Sequence, residues 1–397
     1  MNTFARPLNE TQRGLSATAR LGSGRRARFS PRPHDLIRGI GPNWFASVMG
    51  TGIVANAAAL LPVSIPALKS AALGLWLLAA AMLLVLGIAT AAQWIRHQEI
   101  ARGHHMSPTM APFYGAPPMA ILTVGAGAIL VGKQLIGTQA AVVTDSALWT
   151  VGTVAGLLAS VAIPYLMFTG HRLEQSMTLG SWLMPIVPPM VSAATGAALI
   201  PHLASGQLQL TLLFACYAMF GLSLLASLVV ICLVWARLAY HGPGPAETVP
   251  TFWIVLGPLG QSVTAAHLLG VQASAVLHGP VASAFSTMGV LYGVPVWGFA
   301  MLWLALAAAI TISTARAHLP FSLTWWSFTF PVGTVVTGTS GLAIGTGADL
   351  FTVAAVSLYI LLVVAWGTAF VHTVRGTISG RLLGVGTPLL AQVVAAR

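Results

Sequence analysis

Hydrophobic positions in this chain neither alternate nor keep to one helical face; they run on. Beyond the first forty residues no charged side chain occurs in the stretches 39–68, 70–95, 103–132, 146–171, 175–236, 248–315, 317–348 and 350–374. A helix needs about 20 apolar residues to cross a bilayer core. Six of these stretches hold one crossing and the two longest hold two. The pattern therefore predicts ten transmembrane helices, at 42–62, 69–93, 113–136, 147–169, 182–201, 209–236, 252–272, 292–314, 325–345 and 350–373. The expected fold class is an all-α polytopic membrane protein. Pro/Gly-rich turns such as 59–66, 241–250 and 277–280 join the crossings, so neighbours pack antiparallel and no soluble domain is inserted.

The two parities of helix differ. Odd crossings carry the breakers: Gly50 and Gly52, Pro117 and Pro118, Pro185, Pro188 and Pro189, Pro258, and Pro331, whereas the second, sixth and tenth crossings have no proline. A proline frees a backbone carbonyl that hydrocarbon cannot satisfy but protein or a wet cavity can. The odd helices are thus expected inside, around a pore, and the even ones outside. Four of the five odd crossings also begin at a tryptophan, Trp44, Trp182, Trp253 and Trp325. The chain reads as five hairpins repeated in one sense, an arrangement with its symmetry axis along the membrane normal.

Composition changes little in this picture, but the placement of charge orients it. Hydrophobic residues make up 56% and charged residues 6%, against about 25% charged in soluble domains. Residues 1–40 form a basic tail, expected to be disordered, with Arg6, Arg13, Arg20, Arg25, Arg26, Arg28, Arg32 and Arg38. If that tail is cytoplasmic, ten crossings put Arg96, Arg102, Arg172, Arg237, Arg316, Arg375, Arg381 and Arg397 on the same side and only Lys69 and Lys133 outside. This is the positive-inside signature. It predicts a multi-pass protein of the plasma (inner) membrane, a transport domain over 41–375, a C-terminal tail over 376–397, and both termini in the cytoplasm. The tail is expected to contact lipid headgroups rather than nucleic acid. It lacks the apolar core of a signal peptide, though its Arg-rich, acid-poor composition leaves a transit peptide open. Cys216 and Cys232 have no His or acid nearby and are expected to be buried thiols.

No Asp, Glu, Arg or Lys lies in the middle of any predicted crossing. Polarity on the inner helices is neutral and runs in stripes: Ser47, Thr51 and Val54; Pro188, Ser192 and Thr195; Gly257, Gln261 and Thr264; Phe330, Thr334, Thr337 and Gly341. Spacing of i, i+3 and i+4 puts each set on one side of its helix. Hydroxyl and N–H donors suit an anion better than a cation, and the alternative is that these side chains bond neighbouring helices together. Phe330 beside Pro331 fits either a hydrophobic gate or a space-filling ring at a kink. His267 is the titratable candidate for proton coupling. His97, His104 and His105 cluster in a loop at no convincing ligand spacing, so no metal and no cofactor is expected. No paired acid and base or metal triad marks an enzyme. A non-transporting scaffold or receptor is the reading from another class.

The segments 43–52 (NWFASVMGTG), 182–189 (WLMPIVPP), 256–260 (LGPLG) and 323–333 (LTWWSFTFPVG) resemble the tellurite-resistance/C4-dicarboxylate transporter family of the voltage-dependent anion channel superfamily. That family also holds slow anion channels, malate permeases and sulfite efflux pumps. The likeness runs over about 38–375, and the WWxxTFP run is its most specific part. It implies five hairpins around a central pore, commonly in a homotrimer with one pore per protomer. The cargo implied is a small anion: a dicarboxylate such as malate, or an oxyanion such as tellurite or sulfite. In the channel branch, which conducts chloride or nitrate, an aromatic of the ninth helix closes the pore, and Phe330 holds that position here.

Overall fold

The computed structural model describes residues 37–170 and 173–383. The predicted basic tail lies outside the described residues up to residue 36, and the C-terminal tail beyond residue 383. Helices are α1 (Phe45–Leu60), α2 (Pro66–Arg96), α3 (Gln98–Met106), α4 (Ala111–Ile136), α5 (Thr138–Gly170), α6 (Pro188–Gly196), α7 (Gln207–His241), α8 (Ala246–Val276), α9 (Pro280–Ala317), α10 (Phe330–Thr346) and α11 (Asp349–Ile378). No strand occurs among the described residues.

Seven of these, α2, α4, α5, α7, α8, α9 and α11, are long and apolar enough to cross a membrane. The expected first, fifth and ninth crossings are shorter. α1 has 16 residues, α6 nine and α10 17, or ~24, ~14 and ~26 Å at 1.5 Å per residue. Glycine and proline explain the shortness. The chain enters α1, α4, α6, α8 and α10 through 3₁₀ turns at Pro42–Trp44, Ala111–Gly115, Gly180–Leu183, Ala246–Val255 and Leu323–Phe328. Pro331 then occupies the first turn of α10 and Pro188 and Pro189 that of α6, where a missing N–H is harmless.

Burial separates two sets of helices. α1, α8 and α10 are buried on nearly every side. α2, α5, α7, α9 and α11 each leave large apolar side chains bare, among them Leu84, Phe168, Leu225, Leu291 and Val364. The buried set closes on itself, with α1 packed on α4, α4 on α6, α6 on α8, α8 on α10, and α10 back on α1. Glycines allow these approaches: a Cβ on Gly260 of α8 would land on the backbone of Thr334 and Val335, and one on Gly333 of α10 on Ile53. The described ends of the chain meet, since Gly39 lies against Leu383 and the Gln93 amide donates to the carbonyls of Ile37 and Ile40 at 3.0 and 2.8 Å.

The bare helices run past their predicted ends. α5 begins at Thr138, not at 147, because helical hydrogen bonding is indifferent to where the apolar stretch stops. This corrects the expected start of the fourth crossing, which left Asp145 outside it: Asp145 lies in the first third of α5 and is fully buried. Cys232 is also corrected, to an exposed position on α7, while Cys216 is buried. Arg237 is 3% exposed. Its guanidinium donates to the carbonyls of Ser176, Gly242 and Pro243 at 3.2, 2.9 and 2.9 Å, so this charge ties down the loop after α7.

Candidate functional site

All the segments of the closed ring contribute to one small cavity at the end where the termini meet. Ala46 and Met49 come from α1, Phe113 and Met119 from α4, Met184 and Val187 from the turn before α6, Ile254 and Gly257 from α8, and Leu323, Trp326, Ser327, Phe330 and Pro331 from the α10 entry. The walls are apolar apart from Ser327. The cavity measures about 20 Å³, room for roughly one water and too little for an anion with its hydration. Phe330, 2% exposed, forms part of its wall.

Behind Phe330 the neutral polar residues fall into two groups. Gln261 lies one helical turn beyond Gly257 on the same face of α8, and among the described residues its carboxamide makes no hydrogen bond. Beside it Thr264 and Thr337 hydroxyls meet at 2.7 Å, and Thr334 donates to its own Pro331 carbonyl at 2.7 Å while lying near the Leu256 and Gly257 carbonyls. These side chains knit α8 to α10 alongside the axis. Ser47, Thr51 and Ser192 turn toward the outer helices instead. Thr51 accepts from Trp366 of α11 at 3.1 Å, and Ser192 accepts from Thr153 of α5 at 2.9 Å. Thr195 donates to the Val191 carbonyl at 2.9 Å, as Ser47 does to that of Trp44 at 2.7 Å. The hydroxyl protons of Ser47, Thr51, Thr195, Thr264, Thr334 and Thr337 all have backbone carbonyls to go to. That leaves the Gln261 N–H groups and the Ser192 hydroxyl proton as donors without an acceptor among the described residues.

His267 lies further along α8, its imidazole against Gly341 and Gly345 of α10. His105 belongs to a different environment. On α3, outside the long helices, it stacks on Tyr114 at 4.1 Å and meets Trp94 edge-on at 5.3 Å. Burial lowers its pKa from the usual 6.5, and burial together with the neighbouring His105 charge lowers that of His104. The unfolded chain then takes up the proton more readily, so stability is held above pH 6.5 and is lost as pH falls below it. His105→Phe is expected to flatten this acid-side fall in thermal stability; an unchanged slope in the variant contradicts the stacking account. Among the described residues no three His, Cys, Asp or Glu side chains converge on a metal site.

Sequence reasoning missed the cavity's Met49, Phe113, Met119, Met184 and Trp326. Their apolar character makes them look like ordinary core, and the usable signal was their position in or just after the 3₁₀ entries of the inner helices.

Comparison with known proteins adds to this geometry. The family described as voltage-dependent anion channel matches residues 39–374. An uncharacterized transporter of Methanocaldococcus jannaschii is 26% identical over 88% of this chain and 96% of its own length. A sulfite efflux pump of Arthroderma otae is 29% identical over 84% of this chain and 89% of its own, and one of Trichophyton rubrum is 28% identical over the same shares.

Proposed function

The chain belongs to the voltage-dependent anion channel family and transports anions across a membrane, and from that premise we propose that its cargo is a small oxyanion of the sulfite type. The path runs along the axis of the inner ring within each chain. The observation that supports this reading is the small axial cavity walled by every ring segment, with Phe330 in its wall and Gln261 one helical turn beyond its Gly257. An apolar mouth strips water from an anion, and a neutral N–H donor then holds it without a fixed positive charge that would trap it. The named activity of the sulfite efflux pumps supports the choice among anions.

Ten crossings follow in this reading. Seven long helices alone would leave the two ends on opposite faces, whereas Gly39 lies against Leu383. Crossing by α1, α6 and α10, each extended by its 3₁₀ turn, gives the even number that the meeting of the ends requires. The 3₁₀ entry repeated before every inner helix supports five hairpins in one sense. Arg38, Arg96, Arg375 and Arg381 gather at the end where the termini meet, which by the positive-inside rule is the cytoplasmic face of the plasma membrane. The bare apolar outer helices suit lipid and the contact faces of a homotrimer.

A flux panel in proteoliposomes tests the cargo. Sulfite is expected to move faster than malate, tellurite and chloride at equal concentration. Rapid malate or chloride flux with no sulfite flux overturns the assignment.

A further inference from the structure

The inner ring accounts for neutral polar groups, but it leaves one ionisable group unused. Asp145 projects from the outer helix α5 into its contact with the inner helix α4. It is fully buried, and among the described residues neither carboxyl oxygen has a hydrogen-bond partner. Buried polar groups are almost always paired, and a buried carboxylate especially so. A carboxyl with no donor facing it is compatible with such a place only as the neutral acid.

Its surroundings are specific. The carboxyl lies over Gly125 of α4, where a Cβ would come within 2.8 Å of Asp145 Oδ1 and 3.0 Å of the Leu148 Cβ. Three residues past that glycine α4 widens into a π-helical turn, Ala128–Gly132. In the turn before it, the carbonyls of Thr123 and Val124 accept from Asn56 Nδ2 and Trp76 Nε1, both at 3.0 Å. Asn56 Oδ1 is itself buried without a partner, near Gly127. An inner helix is thus loosest at the level where an outer helix presses an unpaired acid on it, and π turns inside α-helices concentrate at functional positions.

Few other charges bear on this group. From α4 the titratable side chains are Tyr114, at the terminal end, and Lys133, exposed at the other end; the turn 128–132 and α6 bring none. α5 itself adds Tyr165, and α3 brings Glu99, Arg102, His104 and His105, all toward the terminal end. Asp145 lies about 10 Å along α5 from its start at Thr138, the end away from the termini.

We propose that Asp145 is a proton-binding site that couples the α4 conformation, and through it the anion path, to pH on the side away from the termini. With the proton on Oδ, α5 seats on α4 in the closed arrangement described above. When the O–H bond breaks and the proton passes to entering water, the carboxylate must be hydrated. α5 then parts from α4 at Gly125, and the π turn relaxes. The coupling to flux rests on the transport reading, but the proton site does not.

Two measurements separate these. Infrared difference spectra of the purified protein between acidic and alkaline buffer are expected to show the carbonyl stretch of a buried carboxylic acid, absent from Asp145→Asn. Persistence of that band in the variant overturns the site whether or not the protein transports. In proteoliposomes wild type and Asp145→Asn are compared at each pH, so changes in the anion itself cancel. Wild-type flux is expected to rise with pH and to exceed that of Asp145→Asn in alkaline buffer by about tenfold, the variant keeping the neutral-acid state. A pH profile that survives in Asp145→Asn but vanishes in His267→Ala overturns the coupling.

Discussion

Phe330→Ala raises anion flux by about tenfold or more. That is the change that follows if the closed position of the ring is favoured by ~1.4 kcal/mol over the open one. The ring lines a cavity of about 20 Å³ and shares it with Trp326, Met49 and Met184, and removing the phenyl group is expected to open that space toward Gln261, one helical turn beyond its Gly257. A second quantity separates a stopper from a space-filler. Phenylalanine to alanine in a fully packed core costs about 3–5 kcal/mol. A ring that borders a cavity has fewer partners to lose, so the variant should retain most of its thermal stability. A strongly destabilised variant with unchanged flux per folded molecule contradicts the stopper.

Gly260→Val is expected to abolish assembly of the inner ring. Overpacking a core costs about 1–3 kcal/mol when neighbours can shift. Here the new side chain meets the main chain of Thr334 and Val335, while a Cβ on Gly338 across the contact would sit 2.8 Å from the Gly260 carbonyl. Neither backbone can swing aside without breaking the Thr264–Thr337 contact one turn on. Close approach at small residues holds membrane helices together, so the variant should fail to give monodisperse protein in detergent. Gly87→Ala on α2 is the contrast, since nothing lies within 4 Å of its added Cβ; it should behave as wild type. A Gly260→Val protein as stable and monodisperse as wild type contradicts this close packing.

These two residues also mark how far the sequence could be read. Lack of charge and the position of proline were enough to separate the buried, breaker-rich helices from those with bare apolar faces, because both follow from the cost of polar groups in hydrocarbon. The side of each buried helix that faces the axis was not legible. A helix such as α1, buried all round, has two buried faces, and periodicity alone cannot tell them apart. The Ser47–Thr51 stripe faces Trp366 of α11, and the neighbouring Ala46 and Met49 face the cavity. Gly257 and Gln261 share a face because they lie one turn apart on α8, and Gly257 lines the cavity. Asp145 is not legible for a different reason: the charge-free stretches place it between two crossings, yet helix α5 continues through it.

The anion is expected to pass through the inner ring of a single chain. Cysteine at Met49, placed in Phe330→Ala with the exposed Cys232 changed to serine, offers the most direct test. Flux in proteoliposomes is predicted to stop when a small charged thiol reagent labels that cysteine and to return on reduction. Full labelling with undiminished flux would contradict the axial path.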